Sequence, residues 1–213
     1  MGSRTTVWIA SYPRSGNTLL RTILWNCFGL RSASIYANDL GGNKTLEEYV
    51  GHIEYDVNGK ICFPEGNIPL IKTHKHSTDD NPAIYIIRDG RAACVSLWEW
   101  CGRSIPLNDI ISGRHKWGSW SSHVQSWNPW HRPNTLLLEY EDMKKDLPST
   151  LNSISNFLKK EIINEQLPDR NTIARIDGRW VRPELDWRTE LSGSALDNFY
   201  QIHEEILRYA RYI

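Results

Sequence analysis

Two segments far apart in this 213-residue chain share one grammar: a short apolar β-type run, a small polar turn, and the opening of a helix. The first is Trp8-Ile9-Ala10-Ser11-Tyr12-Pro13-Arg14-Ser15-Gly16-Asn17-Thr18. The second is Ile84-Tyr85-Ile86-Ile87-Arg88-Asp89-Gly90-Arg91-Ala92-Ala93-Cys94-Val95-Ser96. Strands that alternate with helices pair in parallel, with the crossovers covering the sheet, so the pattern predicts a layered α/β fold. Each junction is also a place for an anion, because the first amides of a helix lack intrahelical acceptors and point outward. Two such junctions in one small chain predict a ligand with two separate anionic groups.

The remaining pattern agrees with that layering. Residues 5–10 read as a strand that Pro13 stops. Leu19, Leu20, Ile23, Leu24 and Cys27 then recur at helical spacing over residues 18–28. The polar stretch 31–67 predicts only a short helix around 46–50. Further strands are expected at 68–73, 83–87 and 135–139, the last as a fully buried run. Helices are expected at 92–100, 117–127, 147–158 and 194–212, with a loop over 102–113. Asp146 is the expected N-cap of the helix that opens near Pro148. No repeat, low-complexity tract or linker interrupts the series, so residues 1–213 read as one domain, large enough to bury a core without staples.

Charge and cysteine usage narrow the partners. Lys and Arg together number 25, as do Asp and Glu, so the formal net charge is zero. That balance argues against a nucleic-acid or anionic-membrane partner while leaving room for a local basic pocket. Cys27, Cys62, Cys94 and Cys101 form no CxxC pair; Cys94 and Cys101, in a helix-like stretch, read as packing residues or idle thiols, which fits a reducing compartment. The chain enters a strand almost at once, and no apolar run reaches bilayer-spanning length. A soluble cytoplasmic protein is the expectation.

The motifs carry the chemistry. In Arg14-Ser15-Gly16-Asn17-Thr18, Gly16 permits close backbone approach, Ser15, Asn17 and Thr18 offer donors, and Arg14 brings a forked positive charge suited to phosphate or sulfate. The turn resembles a P-loop in function, yet G-x-x-x-x-G-K-[ST] is absent. Arg88 stands at a strand end and Ser96 about two turns into the next helix; they meet on one anion only if the chain bends back between them. In Leu70-Ile71-Lys72-Thr73-His74-Lys75-His76, an extended chain puts Lys72, His74 and His76 on one side. A histidine beside a lysine suits general-base catalysis with charge stabilisation. The competing His74-x-His76 metal pair has no evident third ligand.

Together these residues resemble the sulfotransferases that use 3′-phosphoadenosine 5′-phosphosulfate (PAPS). Tyr12-Pro13-Arg14-Ser15-Gly16-Asn17-Thr18 looks like the family's 5′-phosphosulfate loop, and Arg88 with Ser96 matches its 3′-phosphate pair. Lys72-Thr73-His74 is similar to the Lys-Thr-His whose histidine is the family's catalytic base. Trp117-Gly118-Ser119-Trp120 through His123-Val124-Gln125-Ser126-Trp127 and Tyr140-Glu141-Asp142-Met143 also match, the tyrosine being the one that lies at the adenine. The resemblance implies a P-loop-NTPase-like sulfotransferase fold with a central parallel sheet. It implies sulfuryl transfer from PAPS to a hydroxyl or amine of a small-molecule acceptor, leaving adenosine 3′,5′-bisphosphate (PAP), with no metal required. His74, Lys72 and Arg14 are the implied catalytic residues. Arg14, Ser15, Gly16, Asn17, Thr18, Arg88, Ser96 and Tyr140 are the implied cofactor-binding set.

Three departures stand out. Arg14 replaces the lysine of cytosolic relatives, and Leu19 replaces a tryptophan that packs on the adenine. The C-terminal Arg-Lys-Gly-x-x-Gly-Asp-Trp-Lys survives only as Arg179-Trp180-Val181-Arg182 and Asp186-Trp187-Arg188, leaving Arg179 and Arg182 as alternatives for completing the 3′-phosphate site. A P-loop-like nucleotide kinase and a non-catalytic nucleotide-binding relative are the competing readings. Trp98 or Trp100 is expected to border the acceptor cleft, the other tryptophans being core.

Overall fold

The computed structural model describes residues 5–176, 178 and 186–213. Five strands, β1 (Val7–Ser11), β2 (Ser32–Ser34), β3 (Leu70–Thr73), β4 (Ala83–Ile87) and β5 (Thr135–Glu139), form one all-parallel sheet of order β2-β3-β1-β4-β5. The order reverses at β1, since the chain builds one wing through β2 and β3 and the other through β4 and β5. Such a reversal opens a crevice beyond the carboxyl ends of the strands. The registers Ala10↔Thr73 and Ser11↔Ile86 bring the ends of β1, β3 and β4 to nearly one level there.

Helices cover both faces. They are α1 (Asn17–Phe28), α2 (Lys44–Val50), α3 (Gly90–Trp100), α4 (Leu107–Ser112), α5 (Trp120–Trp127), α6 (Tyr140–Lys145), α7 (Leu147–Leu158), α8 (Arg170–Ile176), α9 (Trp187–Glu190) and α10 (Gly193–Tyr209). Strand alternation divides the core into two layers. Ile84 and Ile86 pack with Ile9, Leu20, Leu24, Leu151 and Ile154 beneath α1 and α7. Tyr85 and Ile87 pack with Ala10, Val95, Trp120 and Phe199 beneath α3, α5 and α10. All five residues of β4 are therefore buried, as expected of a central parallel strand. Asp146 caps α7 as expected, accepting from the Ser149 amide at 3.0 Å.

Several expectations need correction. The stretch 102–113 is not simply loop: α4 forms because Ile110 and Ile111 bury against α3 and α10. β2 lies in the stretch read as nearly featureless, held by pairing with β3 rather than by apolar side chains. β5 is not fully buried, because it is an edge strand; only Leu138 is buried and Glu139 is exposed. The helix expected from 117 begins at Trp120, since Gly118 takes φ 70° and the Ser119 hydroxyl caps the Ser122 amide. Arg179 and Arg182 lie outside the described residues. All four cysteines are free, and burial pushes the Cys94 thiol up to about 12, which fits a packing role.

Candidate active site

A cavity of about 450 Å³ opens at the carboxyl ends of β1, β3 and β4. The turn from β1 to α1 forms one wall through Arg14, Gly16, Asn17 and Thr18. Arg14 (φ 68°) and Gly16 (φ 102°) are both left-handed, which folds the turn tightly over the start of α1. A Cβ on Gly16 would stand 2.5 Å from Tyr140 Cδ2, so the site is built around the missing side chain. Asn17 Nδ2 donates to the Ile9 carbonyl at 3.1 Å and to Ser11 Oγ at 3.4 Å, tying the turn back to its strand. Ser15 is buried, and its Oγ has no hydrogen-bond partner among the described residues. An orphaned buried hydroxyl at such a turn asks for a ligand or water.

Arg14 joins the two distant motifs. Its Nε donates to Ser96 Oγ at 3.3 Å, and its carbonyl accepts from Arg88 Nη1 at 2.8 Å. The Arg88 guanidinium lies 4.4 Å from the centre of the Tyr140 ring. Arg88, Ser96 and Tyr140 all line the cavity, so the chain does bend back between Arg88 and Ser96. Asp89 makes that bend by capping α3, accepting from the Arg91 amide at 2.9 Å.

The third wall comes from β3 and the residue after it. Lys72 and His74 both reach the cavity, as period-two spacing predicts, whereas His76, expected on the same side, does not line it, because the strand ends at Thr73. Lys72 Nζ lies 2.7 Å from Asp39 Oδ1, and Asp39 Oδ2 lies 2.7 Å from Arg21 Nη1. Burial raises the Asp39 carboxyl, but Lys72 and Arg21 outweigh it and hold that group well below the usual carboxylate range. His74 Nδ1 is 2.8 Å from the Ser11 carbonyl oxygen. A carbonyl can only accept, so Nδ1 carries the proton and Nε2 carries the lone pair. Burial and then the Lys72 charge push the imidazole down to about 3, leaving it neutral at pH 7. Tyr36 stacks on the ring at 5.9 Å, and its hydroxyl accepts from the His74 amide at 3.0 Å.

The rest of the wall is mostly aromatic and apolar, with Tyr36, Leu40, Trp100 and Trp117, flanked by Glu99 and Lys116. Trp100 thus borders the cleft, whereas Trp98 packs against the core under the Arg103 guanidinium. Leu19 also reaches the cavity. His76 is exposed, and among the described residues no cluster of three His, Cys, Asp or Glu side chains could hold a metal ion. Sequence reasoning missed Arg21, Tyr36 and Asp39. Arg21 carried a signal: with Asn17, Leu24 and Phe28 it occupies one buried face of α1, where a charge demands a partner.

Comparison with known proteins gives the family and the fold. Residues 4–174 match the sulfotransferase domain family, and the chain belongs to it. It is 29% identical over 178 residues to Sulfotransferase 4A1 of Mus musculus, covering 71% of this chain and 59% of that relative. The chain therefore spans about six-tenths of that relative's length. Its fold matches mouse sulfotransferase SULT7A1 crystallised with PAP, with TM-score 0.64 at 21% identity over 97% of this chain and 86% of the other. Retinol dehydratase, in complex with androsterone and the inactive cofactor PAP, matches with TM-score 0.63 at 20% identity, over 97% and 82% of the two chains. Family membership favours the sulfotransferase expectation over the nucleotide-kinase one. No helix among the described residues is long and apolar enough to cross a membrane.

Proposed function

We propose that the protein moves the sulfuryl group of PAPS to a hydroxyl, or to an amine, of a small-molecule acceptor and releases PAP. The observation that carries this reading is the bond from His74 Nδ1 to the Ser11 carbonyl, which leaves a neutral Nε2 available as a base in the cavity that also holds both anion motifs. The orphaned Ser15 hydroxyl and the space kept open at Gly16 fit an anion at the β1–α1 turn. In this scheme Arg14, Ser15, Gly16, Asn17, Thr18 and the first amides of α1 hold the phosphosulfate. Arg88 and Ser96 hold the 3′-phosphate, and Tyr140 packs near the base.

PAPS supplies the activated sulfuryl group, and the chain supplies the proton acceptor and the positive charge. His74 Nε2 takes the acceptor's proton as the acceptor oxygen or nitrogen bonds to sulfur and the bond from sulfur to the phosphate oxygen breaks. General-base catalysis of this kind contributes about 10²–10⁴ in rate. A helix N-terminus alone supplies about 0.3–1 kcal/mol, rising toward 2 when partly buried. Arg14 and Lys72 must therefore share the work of countering charge on the leaving phosphate. The scheme calls for no metal. The aromatic wall of Tyr36, Trp100 and Trp117 supports an acceptor of small-molecule size, the class to which androsterone in the retinol dehydratase complex belongs. The four free cysteines support a reducing, cytoplasmic setting.

Isothermal titration with PAP in the absence of Mg²⁺, alongside ATP with Mg²⁺, tests the reading. Metal-independent binding of PAP is expected. Binding of ATP alone, or of neither nucleotide, would overturn it.

A further inference from the structure

At the cavity wall a buried charge relay joins Lys72 of the Lys-Thr-His motif to two residues that no sequence motif included. Arg21 on α1, Asp39 in the turn after β2, and Lys72 on β3 are joined through the two oxygens of one carboxylate, each at 2.7 Å. The side chains of the three are 0%, 7% and 5% exposed, so the contacts are shielded from solvent. Arg21 is fixed on its other sides. Its Nε donates to Ser32 Oγ at 2.8 Å, and Nη2 lies 2.5 Å from His52 Nδ1. Asp39 is fixed by its own turn, in which Asn38 and Leu40 are left-handed at φ 56° and 63°. Leu40 is buried in the cluster formed with Leu46 and Val50, which anchors the turn on α2.

Two cations share one anion in this relay, leaving an excess positive charge. Asp39 and Lys72 stand on the cavity wall, while Arg21 lies behind them. The arrangement places the surplus where Arg14 already contributes charge.

We propose that Asp39 is a positioning residue that holds the Lys72 ammonium, charged and in place, at the wall of the sulfuryl-transfer cavity, with Arg21 as its anchor. The inference rests on the sulfotransferase reading for its role in turnover, while its physical content is independent of that reading. The groups facing Lys72 are Asp39, Arg21 from α1, Arg14 from the β1–α1 turn, His74 from its own chain segment, and the Tyr36 ring at 5.9 Å. Burial lowers the lysine's affinity for its proton, Asp39 raises it, and Arg21 and Arg14 lower it. Removing the Asp39 charge therefore moves deprotonation of Lys72 to lower pH.

The test is an NMR titration of protein labelled with ¹³C at lysine Cε, with Lys72→Met supplying the assignment, run on wild type, Asp39→Asn and Asp39→Glu. Wild-type Lys72, with its Nζ 2.7 Å from the Asp39 carboxylate, is expected to carry its proton at pH 7, although burial lowers its affinity for it. The Asp39→Asn midpoint should fall by about one pH unit or more, a tenfold change in the proton equilibrium. Asp39→Glu, which keeps the charge, should keep Lys72 charged. PAP affinity, titrated over the same range, should fall with rising pH in Asp39→Asn sooner than in wild type. A wild-type Lys72 that is neutral at pH 7, a result that needs no variant to fold, overturns the proposal. Equal Lys72 midpoints and equal PAP profiles in wild type and Asp39→Asn also overturn it. Absence of PAP binding to wild type would instead defeat the sulfotransferase reading, and the lysine titration would still decide the relay.

Discussion

Replacing Gly16 by alanine asks two things of the β1–α1 turn. The first is a residue with a Cβ at φ 102°, well beyond the usual left-handed basin; that basin already costs a non-glycine residue about 1–2 kcal/mol. The second is room for a methyl group where Tyr140 Cδ2 stands 2.5 Å away, Tyr140 Cε2 3.1 Å and Met143 Cε 3.3 Å. Overpacking of this kind costs about 1–3 kcal/mol. The Tyr140 ring can relieve the clash only by leaving its place against the Arg88 guanidinium, an interaction worth about 0.5–1 kcal/mol at an exposed site. The expected loss in urea unfolding is thus about 2–4 kcal/mol, accompanied by weaker PAP binding. A double-mutant cycle separates the two parts: with Tyr140→Ala in the background, the ring's steric share is lost while the Met143 contact and the strain share remain, giving a coupling of about 1 kcal/mol or more. A Gly16→Ala loss below about 0.5 kcal/mol, or one unchanged by Tyr140→Ala, would refute the close-approach argument.

Arg88→Ala removes the bond to the Arg14 carbonyl and the cation over Tyr140; PAP affinity measured by titration should fall about tenfold to a hundredfold, as for a lost charge-assisted bond, with folding retained. Unaltered affinity would remove Arg88 from the cofactor site. His203 is fully buried, with Nε2 donating to the Ile111 carbonyl at 3.0 Å and Nδ1 accepting from Ser121 Oγ at 2.6 Å. Burial pushes His203 down to about 4, and burial followed by the Arg21 charge does the same to His52. Between those values and the unfolded value near 6.5 the unfolded chain binds more protons, so stability is complete above about pH 6.5 and lost as pH falls toward about 4. Urea midpoints measured across that window should decline steadily on acidification, and a flat profile would contradict the assignment.

What was legible in the sequence was local. Ile84–Ile87 ends at Arg88-Asp89-Gly90, and residues 7–11 end at Tyr12-Pro13, so strand, turn and helix start are written in consecutive residues. Lys72 and His74 were readable for the same reason, Lys72 lying on β3 and His74 just past its end, two positions apart. The missing parts depend on the assembled fold. Ser32-Ala33-Ser34 has no apolar pattern, and becomes β2 through pairing with β3 and the bond from Arg21 to Ser32. Asp39 looks like any loop acid between Asn38 and Leu40-Gly41-Gly42, because its partners lie 18 residues earlier and 33 later. The Leu136-Leu137-Leu138 run overstated burial because sequence does not say which strand lies at the edge. That Arg88 and Ser96 approach one site depends on the Arg14 side chain and carbonyl, which come from the other motif.

The account turns on His74 Nε2 as the proton acceptor in sulfuryl transfer. The most direct measurement is turnover of ³⁵S-labelled PAPS over a panel of small hydroxyl and amine acceptors, comparing wild type with His74→Ala, with PAP affinity determined for both. Transfer by the wild type is expected, together with a loss of about 10²–10⁴ in kcat for His74→Ala and PAP affinity largely kept. Full turnover by His74→Ala would contradict it.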